Sequence, residues 1–126
     1  VGISRSSVIL VLVVAAATAL HIYEFVLLSE GVDLGAFILL AWSLTPYIVC
    51  LLVAWLSVSS VPACVGASLA LPFDAAMHVT VFTSHSSTRG LGLFFMPLWN
   101  LVLIAPLAMF LTWLAMRQRN NPTDAP

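Results

Sequence analysis

The feature that most constrains this chain is a run of four apolar stretches, at 8–28, 34–56, 61–82 and 91–116, each near the length that crosses a lipid bilayer. An α-helix rises 1.5 Å per residue, so about 20 residues cover a hydrocarbon core of about 30 Å. A hydrophobic subunit buried in a soluble assembly needs apolar segments of varied length, not this repetition. Charge agrees with the spacing: 62% of the chain is hydrophobic and 7% charged, whereas a soluble domain carries about 25% charge to wet its surface. The expected fold is an all-α integral membrane protein, a compact antiparallel four-transmembrane-helix bundle forming one membrane domain over 1–126.

The breaks between the stretches are short. Ser29, Glu30, Gly31, Val32 and Asp33 form the first, Ser57, Val58, Ser59 and Ser60 the second, and residues 83–90 the third. Connections of this length make consecutive helices antiparallel neighbours. Residues 8–20 resemble the core of a signal peptide, yet no small-residue cleavage motif follows and apolar character resumes through Phe25, Val26, Leu27 and Leu28, so the segment reads as a span. The fourth stretch exceeds the usual crossing length and contains Pro97 and Pro106, which predicts tilting or bending. The polar tail 117–126 is expected to fray outside the membrane.

Arginine occurs at positions 5, 89, 117 and 119 and lysine is absent, so no basic surface exists for a nucleic-acid backbone. An even number of spans puts both ends on one side, and those ends hold Arg5, Arg117 and Arg119. The positive-inside bias then places both termini in the cytoplasm, with the loops beginning at Ser29 and Thr83 facing outward. The architecture is similar to that of many small bacterial inner-membrane proteins, a likeness that carries no functional residues with it. Cys50 and Cys64 form no close-spaced metal or redox motif and read as small core residues. Trp55 and Trp113 fall near the cytoplasmic boundary as interfacial anchors do, whereas Trp42 and Trp99 lie deeper and read as packing residues.

Placed by depth, the scarce polar groups gather in the outer half of the membrane: His21 and Glu24 on the first span, Ser43, Thr45 and Tyr47 on the second, Asp74 and His78 on the third, and Asn100 on the fourth. His21 and Glu24 are three residues apart and Asp74 and His78 four, so each pair shares a helix face. Gly66, Ala70, Asp74 and His78 form an i+4 ladder whose small members let a neighbouring helix approach. Ser43, Tyr47, Cys50 and Ala54 form a comparable stripe. A carboxylate near a helix centre costs roughly 2.5–3.5 kcal/mol to insert, which drives such groups to pair inside the bundle.

No reaction is named by these residues. The leading expectation is a non-enzymatic structural or accessory component whose polar cluster, His21, Glu24, Tyr47, Asp74, His78 and Asn100, fixes helix register or an interface. The alternatives use the same residues. His21, His78, Glu24 and Asp74 offer nitrogen and oxygen ligands to a transition metal; His21 and His78 can ligate one haem in a haem- or quinone-linked electron-transfer component; or the carboxylates and histidines couple protons or ions to transport. In the third loop, His85 and Arg89 can contact a lipid phosphate or another anion. The expected partners are membrane lipid and either further copies of the chain or a larger membrane complex.

Overall fold

The computed structural model of the chain describes residues 4–28, 34–85 and 88–120. The helices are α1 (Arg5–Leu28), α2 (Leu34–Leu56), α3 (Val61–Thr83), α4 (Arg89–Trp99) and α5 (Ala105–Arg119), the last two joined through a π-helical segment, Asn100–Ile104. With α4, the π segment and α5 counted as one rod, four helices among the described residues are long and apolar enough to cross a membrane. The protein is therefore a multi-pass, all-α bundle of four spanning rods. Helical structure starts and ends beyond the apolar limits, at Arg5 and Arg119, because a polar helix end beyond the hydrocarbon still makes its internal backbone bonds. Residues 29–33, most of the tail beyond Arg119 and part of the third loop lie outside the described residues.

α3 is the central helix and packs on α1, α2, α4 and α5. Its buried face is made of small or polar residues: Ala63, Cys64, Gly66, Ala67, Ala70, Asp74, His78 and Val81. This is the predicted i+4 ladder turned inward. A Cβ at Gly66 would lie 3.1 Å from Met109 Cγ and Cε and 3.3 Å from the Ala105 carbonyl, so the absent side chain lets α5 approach. Large apolar residues point the other way: Leu12, Val26, Ile38, Trp55, Val79, Val102 and Leu111 are exposed on the exterior. In water that distribution would be ruinous. Against acyl chains it costs nothing, and helix association rests on close packing and internal polar contacts.

At the end of the bundle where α1 begins, the Ser60 hydroxyl lies 2.7 Å from Ser6 Oγ, 3.1 Å from Ser7 Oγ and 3.2 Å from Ser4 Oγ, joining the start of α1 to that of α3. Pro46 and Pro72 sit inside α2 and α3 without ending them, as spanning helices tolerate when neighbours re-satisfy the freed carbonyls. The bend expected in the fourth rod takes the form of the π segment. Pro106 has no N–H to give the carbonyl four residues back, and the backbone N–H of Ala105 instead reaches the Asn100 carbonyl. Trp42 spans two helices, its Nε1–H donating to the Phe94 carbonyl at 2.9 Å. Trp99 departs from the packing role expected of it: it is exposed on the exterior.

Candidate functional site

Asp74 lies at the crossing of all four rods. His21 Nε2 on α1 approaches its Oδ2 at 3.3 Å. The Tyr47 hydroxyl on α2 donates to the same oxygen, and Asn100 Nδ2, from the π segment, donates to Oδ1. A carboxylate presents only acceptors, so His21 meets it through Nε2–H, and its other ring nitrogen, Nδ1, lies on the side of Glu24. That Nδ1 is buried and has no hydrogen-bond partner among the described residues.

His78 is pinned by the same residue in a different way. Its Nδ1–H donates at 2.7 Å to the backbone carbonyl of Asp74, one helical turn earlier. A carbonyl cannot donate, so Nε2 is the nitrogen left for chemistry, and it faces Glu24 Oε2 at 2.5 Å. Two lone pairs do not approach so closely, and a proton lies between them. Glu24 Oε2 is also 3.5 Å from His21 Nδ1. The two histidine rings stand 5.2 Å apart between centroids.

The pairing therefore crosses between helices. On sequence spacing His21 should pair with Glu24 and His78 with Asp74. In the structure the tight contacts are His78 with Glu24 and His21 with Asp74, both between α1 and α3. Asp74 spends its carboxylate on His21, Tyr47 and Asn100, so His78 bonds its backbone carbonyl instead, and His21 keeps a longer 3.5 Å contact with Glu24.

All six residues of the predicted cluster, His21, Glu24, Tyr47, Asp74, His78 and Asn100, are buried, each at most 7% exposed. They divide into two shells. His21, Glu24 and His78 each offer a ligand atom, and the three atoms lie within 4.8 Å of one another. Asp74, grouped with them as a ligand on sequence grounds, stands behind the two imidazoles and spends both oxygens on His21, Tyr47 and Asn100. His85 is exposed, just beyond the C-terminal end of α3, and the Arg89 side chain lies outside the described residues.

Sequence reasoning passed over a cavity of about 120 Å³ between α1 and α2. It is lined by His21, Glu24, Phe25, Ala36, Leu39, Leu40 and Ser43. Ser43 belonged to an inward stripe, but nothing in its spacing distinguishes a packed serine from one that faces a void. Cys50 and Cys64 are free and buried. The chain matches no family model, no curated protein and no solved structure.

Proposed function

We propose that this protein holds one divalent first-row transition-metal ion inside its membrane bundle, with His21 Nδ1, Glu24 Oε2 and His78 Nε2 as ligands and Asp74 orienting both imidazoles. One observation carries the reading: three buried ligand atoms from two helices lie within 4.8 Å of one another, while the opposite nitrogen of each histidine is tied to Asp74. Metal-binding histidines characteristically donate their second ring N–H to a carboxylate or a backbone carbonyl, and here one residue supplies both.

The dimensions agree. Ligand bonds of about 2.0–2.2 Å in a tetrahedral site separate the donor atoms by roughly 3.3 Å. The 3.5 Å between His21 Nδ1 and Glu24 is already near that value, and the 2.5 Å between His78 and Glu24 opens when an ion replaces the proton. Two imidazoles and one carboxylate suit Zn²⁺ and its neighbours, whereas Ca²⁺ and Mg²⁺ favour all-oxygen sites. The convergence of three buried ligand atoms, with both imidazoles held from behind by Asp74, supports the metal reading above a purely structural or accessory one. A porphyrin between His21 and His78 fits poorly, because rings 5.2 Å apart on packed helices leave no slot for its plane.

We take the centre as a binding site rather than an enzyme's, since every titratable group in the cluster is either a ligand or holds one in place. Membrane lipid covers the apolar exterior, both termini face the cytoplasm of a bacterial inner membrane, and further copies of the chain or a larger complex are its neighbours. The test is metal titration of the chelator-stripped protein in detergent, against a competing chromophoric chelator. One Zn²⁺ or Co²⁺ per chain is expected, with binding lost in His21→Ala, Glu24→Ala and His78→Ala variants that keep their helical circular dichroism. Absent binding, or binding unchanged in all three, rejects the proposal.

A further inference from the structure

The cavity between α1 and α2 has a division of character that packing alone does not require. Phe25, Ala36, Leu39 and Leu40 make its walls apolar, and its polar groups are His21, Glu24 and Ser43. Ser43 is 5% exposed, and it lines this space beside His21 and Glu24. A hydroxyl lining such a space offers one donor and an acceptor to whatever occupies it.

We propose that this cavity is a binding subsite for a neutral, single-ring, hydroxyl-bearing molecule of the phenol class, which seats its ring among Phe25, Ala36, Leu39 and Leu40. The hydroxyl donates to the Glu24 carboxylate and accepts from Ser43. Size supports one ring: an apolar protein cavity of roughly 150 Å³ takes up benzene, and this one measures about 120 Å³. Neither lysine nor arginine lines the cavity, so in the metal-free protein an anionic ligand would meet the Glu24 carboxylate with no side-chain cation of those kinds to pair it, which favours a neutral one. A ligand of this kind dissolves in hydrocarbon, the medium that surrounds the bundle. The subsite adjoins His21 and Glu24, two of the three residues proposed to hold the metal.

The experiment is ¹⁹F NMR of 4-fluorophenol with the protein in lipid nanodiscs, with empty nanodiscs measuring partition into lipid. A saturable one-to-one component above partition is expected. Leu40→Trp, which fills the cavity, should weaken it at least about tenfold. Ser43→Ala, which leaves the space open, should weaken it about fivefold, the worth of one hydrogen bond. Fluorobenzene, which lacks the hydroxyl, should bind roughly tenfold more weakly than 4-fluorophenol. Absence of a saturable component in the wild-type protein, or unchanged binding in a folded Leu40→Trp variant, overturns the subsite. Metal stoichiometry measured on the same samples keeps the two proposals apart: Co²⁺ bound without fluorophenol removes the subsite alone, and fluorophenol bound without Co²⁺ removes the metal centre alone.

Discussion

Replacing Asp74 with asparagine separates the orienting role of this residue from its part in holding the bundle together. The substitution keeps size and shape, and the amide oxygen still accepts from Asn100. The amide nitrogen, however, turns a donor toward Tyr47 and His21, where the native carboxylate accepted. Tyr47 meets this by rotating its hydroxyl. His21 meets it only by moving its ring proton from Nε2 to Nδ1, the atom assigned to the metal. Changes to groups that orient metal ligands typically cost 10–100-fold in affinity, or about 1.4–2.7 kcal/mol. The loss of stability should be smaller, since interhelical hydrogen bonds in membranes average about 0.6 kcal/mol. Asp74→Asn should therefore bind Zn²⁺ 10–100-fold more weakly in competition with a chromophoric chelator and unfold within a few degrees of the wild type. Asp74→Ala leaves three buried donors without their acceptor and should lose roughly 2–5 kcal/mol as well. An Asp74→Asn protein that binds Zn²⁺ as tightly as wild type would refute the orienting role.

Three further outcomes follow from the same geometry. Loading the stripped protein with Zn²⁺ should release about one proton per ion into weakly buffered solution, because the metal displaces the proton held between Glu24 and His78; release in a Glu24→Gln His78→Ala protein equal to that of wild type would contradict this. Gly66→Ala should lower stability by about 1–3 kcal/mol through its clash with Met109 and the Ala105 carbonyl, with Met109→Ala restoring only part of the loss; this is read from thermal unfolding in detergent, and an unchanged midpoint for Gly66→Ala counts against close packing of α3 on α5. Tyr47→Phe removes one donor from Asp74 and keeps the ring, so it should weaken metal binding less than Asp74→Asn does; a larger loss would assign Tyr47 a direct part in the site.

The fold was legible because bilayer thickness converts directly into segment length, and hydrophobicity over 20 residues is hard to misread. The direction of the polar faces was legible for a similar reason. Gly66, Ala70, Asp74 and His78 follow one another at four-residue steps, and a charged group in hydrocarbon has nowhere to go but inward. What stayed hidden depends on distances shorter than a helical turn. Spacing puts His78 above Asp74 but does not say whether its Nδ1 meets the carboxylate or the carbonyl, and that choice decides which nitrogen is free and that Asp74 orients rather than ligates. The π segment was foreshadowed by Pro106, yet its effect on the phase of Asn100 was not. The cavity beside Ser43 could not be anticipated at all, because a void is set by how two helices diverge rather than by any residue on either of them.

The metal centre is tested most directly by X-ray absorption at the zinc edge of the loaded protein. The account predicts a first shell of nitrogen and oxygen alone at about 2.0–2.2 Å, with outer-shell scattering from two imidazoles, falling to one imidazole in His21→Ala or His78→Ala reloaded at high zinc. A sulfur scatterer at about 2.3 Å, implicating Cys50 or Cys64, or a shell of water oxygens without imidazole, would contradict it.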